Sequence, residues 1–83
     1  MNKFFYYHKP TEMGVDCIIE VYQNKKENID FNNQRVRILA HSEKNSKKGW
    51  FNVSLRTFSV WNEFMKEIKE EEIPAYKLLI GLQ

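Results

Sequence analysis

Residues Val15 to Tyr22 alternate without a break, with Val15, Cys17, Ile19 and Val21 on one side and Asp16, Ile18, Glu20 and Tyr22 on the other. A period of two belongs to a pleated strand, whose successive side chains point to opposite faces. One strand cannot bury such a stripe alone, so the pattern demands a sheet. Lys3 to Lys9, dense in Phe and Tyr, reads as a first strand, and Pro10 and Gly14 bracket the turn after it. Gln34 to His41 reads as the third, with Val36, Ile38 and Ala40 opposing Arg35, Arg37, Leu39 and His41. Trp50 to Phe58 reads as the fourth, with Phe51, Val53 and Leu55 inward and Trp50, Asn52, Ser54 and Arg56 outward. Polar residues 23–33 join the second strand to the third, with Ile29 and Phe31 as anchors. Lysine-rich residues 42–49 make a long hairpin tip, where Gly49 supplies a positive φ.

The period then changes. Trp61, Phe64, Met65 and Ile68 stand at i, i+3, i+4 and i+7, one stripe of an amphipathic helix that starts at Ser59 and ends near Glu72, before Pro74. Lys66 and Glu70 are placed for an i, i+4 pair on its solvent side. Residues 75–82 allow two readings. Tyr76, Leu78 and Ile80 alternate as a closing strand, the favoured reading; Pro74 and Gly81 would instead bracket a short helix. The expected fold is α+β: a four- to five-stranded, mostly antiparallel, curved sheet with one amphipathic helix on one face, in the order β-β-β-β-α-β.

A chain of 83 residues is one domain, spanning 1–83. Its single cysteine, Cys17, excludes an internal disulfide and suits a reducing compartment. Residues 1–9 lack the basic and apolar regions of a signal peptide, and no apolar run approaches the roughly 20 residues of a membrane span, so a cytoplasmic protein without membrane contact is expected.

No set of residues suggests catalysis. Cys17, His8 and His41 stand at no metal-ligand spacing, so neither metal nor cofactor is expected. A nucleophile would need a base beside it, and only the fold could pair Cys17 with His8. Glu70, Glu71 and Glu72 read as a solvated run at the end of a helix, where they oppose the dipole. The three glycines are isolated, which leaves no phosphate-cradling loop.

Charge is localised, however. The net +2 of the chain arises from residues 35–58, which carry Arg35, Arg37, Lys44, Lys47, Lys48 and Arg56 against Glu43 alone. With one side of the sheet under the helix, the other presents Tyr22, Arg35, Arg37, His41, Trp50, Asn52 and Arg56, and the tip adds Lys44, Lys47 and Lys48. Rings mixed with guanidinium groups suit an acidic protein surface, where Trp, Tyr and Arg are strong anchors. They also suit single-stranded nucleic acid, which stacks bases on rings and meets cations with phosphates. In the bland reading, Asp16 and Glu20 simply neutralise Arg35 and Arg37 across the sheet.

Lys47 to Leu55, followed by Trp61 and Phe64, resembles the last strand and helix of the Whirly-type single-stranded-DNA-binding coactivators. The glycine-to-leucine spacing is longer here and residues 73–83 continue past the helix, so the chain is not placed in that family. Small chains rich in Asn, Lys, Glu and Ile and lacking a catalytic set are common products of phages and mobile elements, where many bind and block a host complex. The expected function is a non-enzymatic inhibitor or regulator docking on a host protein or nucleoprotein complex. Two alternatives stand beside it: a single-stranded nucleic-acid-binding module using the same face, and a homo-oligomeric assembly protein paired through an edge strand at Phe4–Tyr7 or Tyr76–Ile80.

Overall fold

The computed structural model describes residues 2–8, 16–23, 32–41 and 49–81. Its strands are β1 (Lys3–Tyr7), β2 (Cys17–Val21), β3 (Asn33–His41), β4 (Trp50–Ser54) and β5 (Met65–Ile68). The helices are α1 (Leu55–Asn62) and α2 (Ile73–Gly81), with a 3-10 turn at Glu70–Glu72 before α2. Every strand pair is antiparallel and the sheet order is β4-β3-β2-β1-β5. The α+β class, the curved antiparallel sheet and the order β-β-β-β-α-β are those the sequence predicts; a second helix follows.

β2 holds the centre, and all of its residues are buried. Its alternation feeds two cores. Cys17, Ile19 and Val21 join Val36 and Val53, with Phe5, Tyr7, Ile38 and Phe51 around them, beneath Phe58 and Trp61 of α1. Ile18 joins Ile68 and Ile80, with Phe4, Tyr6, Leu39 and Ala40 around them, beneath Ile73 and Tyr76 of α2. The helices therefore cover opposite faces.

A bulge in β3 corrects one expected alternation. Ile19 pairs with Ile38 but Ile18 pairs with Ala40, which leaves Leu39 as the extra residue. An extra residue shifts the phase of everything beyond it. Ala40 therefore packs with Ile18 under α2 instead of sharing the Val36 and Ile38 side.

The chain after Ser54 is assigned differently from the sequence reading. Ser54, not Ser59, caps the first helix: its hydroxyl accepts the Thr57 N–H at 3.2 Å and ends β4 four residues before Phe58. α1 then carries the chain from one edge of the sheet to the other. It closes where the Phe64 N–H donates to the Trp61 carbonyl (2.9 Å), and the Phe64 carbonyl accepts the His8 N–H (3.0 Å). Met65–Ile68 pairs along β1 rather than continuing a helix. The reason is tertiary: β1 is apolar on both faces and belongs inside the sheet, where its second row of backbone groups needs a strand. The i, i+3 spacing of Met65 and Ile68 sends them to opposite cores, and the Lys66–Glu70 helical pair does not arise.

Residues 73–81 form the short helix, not the closing strand, with Pro74 in the first turn. Glu70, Glu71 and Glu72 thus precede a helix N-terminus, where negative charge complements the dipole. Neither expected pairing edge is free: β1 is flanked by β2 and β5, and Tyr76–Ile80 is helical. Among the described residues no helix is long and apolar enough to cross a membrane.

Candidate binding face

Antiparallel register places two rows of side chains side by side on the part of the sheet that α2 leaves open. In the first row, Arg37 of β3 stands opposite Glu20 of β2 and opposite Trp50 of β4. In the second, Arg35 stands opposite Asn52, and the Tyr22 N–H donates to the Arg35 carbonyl at 3.0 Å. The rows interlock across their diagonal, where the Tyr22 and Trp50 rings meet edge to face at 5.6 Å. The Arg37 guanidinium lies 4.8 Å from the centre of the Trp50 ring, and that of Arg35 lies 5.8 Å from Trp50 and 5.6 Å from Tyr22. These separations fall within cation–π range.

The two arginines differ in their partners. Arg37 donates through Nε (3.0 Å) and Nη2 to Glu20 Oε1, and Asn2 Nδ2 donates to the other Glu20 oxygen at 2.9 Å. Glu20 is only 7% exposed, so its charge is tolerated because three donors meet it. Arg35 is exposed, and among the described residues no carboxylate pairs with it. It keeps its planar fork of donors while two rings hold the guanidinium in place.

Of the expected site residues, Tyr22, Arg35, Arg37 and Trp50 come together in this way, with Asn52 exposed beside them. Arg56 does not: it lies exposed in the first turn of α1, which packs on the opposite face. His41 pairs with Cys17 in backbone register, but its side chain lies outside the described residues, as do Lys44, Lys47 and Lys48 of the tip. The expected neutralisation across the sheet is half present, because Glu20 takes Arg37 while Asp16 turns elsewhere.

Asp16 organises a second polar cluster that sequence reasoning missed. Only 1% exposed, it accepts the Tyr6 hydroxyl at 2.7 Å and lies 2.8 Å from His8 Nδ1, while Tyr6 packs on Tyr76 of α2 at 4.8 Å. The available signal was its place on the Ile18 side of the alternation, which sets it opposite the β1 aromatics. No hydroxyl or thiol among the described residues reaches the other His8 nitrogen. Cys17 is not paired with His8: it packs in the core under α1, where burial, and then the Asp16 charge, push its thiol up to about 12. Among the described residues no group of three or more His, Cys, Asp or Glu is arranged to hold a metal ion.

No protein-family model, no curated protein and no solved structure matches this chain.

Proposed function

We propose that the chain is a non-enzymatic binding protein, an inhibitor or regulator, that docks an acidic patch of a protein or nucleoprotein complex onto the Tyr22–Arg35–Arg37–Trp50 face. The observation that carries this reading is Arg35: a guanidinium positioned over two rings with no carboxylate partner among the described residues. Such a group loses little rotamer freedom when a carboxylate arrives, and planar bidentate pairing is what Arg offers and Lys does not. Arg37 and Glu20 serve as its support. The Trp50 ring already has two guanidinium groups against it, which favours an acidic protein over stacked nucleobases.

The test is affinity capture from the native host lysate, with and without nuclease, using wild type and the double variant Arg35→Ala with Trp50→Ala. A nuclease-resistant protein partner is expected, and the variant should lose it while still unfolding cooperatively. Equal capture by both proteins removes the face from consideration. Capture that disappears with nuclease transfers the face to single-stranded nucleic acid, and binding of a labelled oligonucleotide would then fall steeply with salt.

A further inference from the structure

Among the described residues β4 is an edge of the sheet, and hydrogen-bond phase fixes which of its backbone groups face outward. The Tyr22 N–H donates to the Arg35 carbonyl, so the backbone polar groups of Arg35 turn toward β2. In an antiparallel sheet the pair Arg35–Asn52 is then a non-hydrogen-bonded one. The bond from the Leu55 N–H to the Asn32 carbonyl, 3.1 Å, keeps the same phase. Phe51 and Val53 therefore bond to β3, whereas the N–H and C=O of Trp50 and Asn52 point out of the sheet.

Proteins usually blunt such edges with charge, proline, bulges or shortness. The opposite edge, β5, follows that rule with four residues, of which Lys66 and Glu67 are exposed. β4 does not. Trp50–Ser54 carries no charge and no proline, and its register with β3 has no bulge. Cations stand beside it on the neighbouring strand, where Arg35 and Arg37 are opposite Asn52 and Trp50.

We propose that the β4 edge takes an extended segment of a partner protein as an added strand, acidic at alternate residues. This rests on the reading that the face binds an acidic protein, and it names how. An added strand lies two inter-strand spacings of about 4.8 Å from β3, a gap that an arginine and a glutamate side chain span together. An acidic residue of the added strand meets Arg35, beside the Arg37–Glu20 pair that supports it, and the strand's intervening apolar residues extend the Phe51 and Val53 side. The main-chain ladder supplies affinity and the alternate side chains supply selectivity. A second copy of this chain fits less well: its own β4 offers Trp50, Asn52 and Ser54 there, with no carboxylate, and brings two further arginines to the same face.

The experiment uses a labelled peptide of about eight residues alternating Glu and Val, followed by fluorescence anisotropy. Wild type should bind it and should not bind the Lys–Val counterpart. Asn52→Pro removes an outward N–H without touching the β3 ladder and should weaken binding by about tenfold or more, as should Arg35→Ala. A Glu–Val peptide methylated on alternate backbone nitrogens makes the same test from the probe's side, whether or not Asn52→Pro folds. Full binding of the methylated peptide and by Asn52→Pro, with loss by Arg35→Ala, overturns the added strand while sparing the face. Absence of binding by wild type overturns the proposal, as does binding insensitive to both substitutions. A concentration-dependent dimer in light scattering that Asn52→Pro splits overturns it in favour of a second copy.

Discussion

Beneath α1 the sheet carries the larger apolar cluster, in which Cys17, Ile19, Val21, Val36 and Val53 are all buried and Phe58 and Trp61 close over them. On the opposite face the apolar part is smaller, with Ile18 and Ile68 buried against Ile80 of α2, and polar groups finish it: Asp16 with Tyr6 and His8, and the set of Glu20, Arg37, Trp50, Tyr22 and Arg35. The same strands build both. Apolar burial contributes roughly 25 cal/mol per Å² with little demand on direction, so the α1 side stabilises the fold. A paired charge set adds little net stability but fixes geometry, because each member has one place to bond. The divided face can therefore anchor a helix at one end and hold side chains for a partner at the other.

The strongest test of this division is Ile18→Ala. Ile18 is fully buried at the centre of the smaller core. Its truncation should cost about 2–5 kcal/mol in denaturant unfolding. If the two faces form one cooperative unit, the transition stays single. A separate early loss of helical signal would show instead that α2 leaves the sheet before α1 does, since α2 is held by Ile73, Tyr76 and Ile80 and leaves Leu78 71% exposed.

How far each face is legible in the sequence follows from the same division. The strand at Val15–Tyr22 and the Tyr22–Arg35–Arg37–Trp50 grouping are readable because a period of two fixes which residues share a face, and pairing in register does the rest. The α1 stripe is misplaced because Trp61, Phe64, Met65 and Ile68 match a helix locally, whereas the unmet backbone of β1 claims Met65–Ile68 as a strand. α2 is undecided locally because Tyr76, Leu78 and Ile80 fit two periods, and only the uncovered Ile18 and Ile68 surface selects the helix. The bulge at Leu39 has no signal of its own, since neither Gly nor Pro marks it. Arg56 reads as a strand residue in the sequence because Ser54 serves equally as strand residue and cap.

A finer comparison separates the two arginines of the candidate face. Arg37→Ala leaves the buried Glu20 carboxylate with Asn2 alone and should cost about 1–3 kcal/mol of stability. Arg35→Ala removes an exposed cation without stranding a charge and should stay within about 0.5 kcal/mol of wild type. Thermal unfolding of the two variants should therefore differ, while both lose affinity for the acidic probe. Equal stabilities would mean that Glu20 relies on Asn2 and solvent, and that the row from Glu20 to Trp50 does not support Arg35.

The smallest expected effect probes how dry the α1 side is. The Cys17 thiol is pushed up from 9.0 to about 12, first by burial and then by the Asp16 charge. A raised acid binds its proton longer in the folded chain than in the unfolded one. Below pH 9 both states are protonated and nothing is lost. Between 9 and about 12 only the unfolded chain releases the proton, so stability falls with rising pH, by about 1.4 kcal/mol per unit at most. Every other titrating group is common to wild type and Cys17→Ala, so the remaining pH dependence cancels in the difference. The stability gap between the two proteins should narrow from about pH 8 to about pH 10 as wild type alone loses stability through this thiol. Parallel curves would mean that water reaches Cys17, and the apolar field under α1 would then be no drier than the charged face opposite.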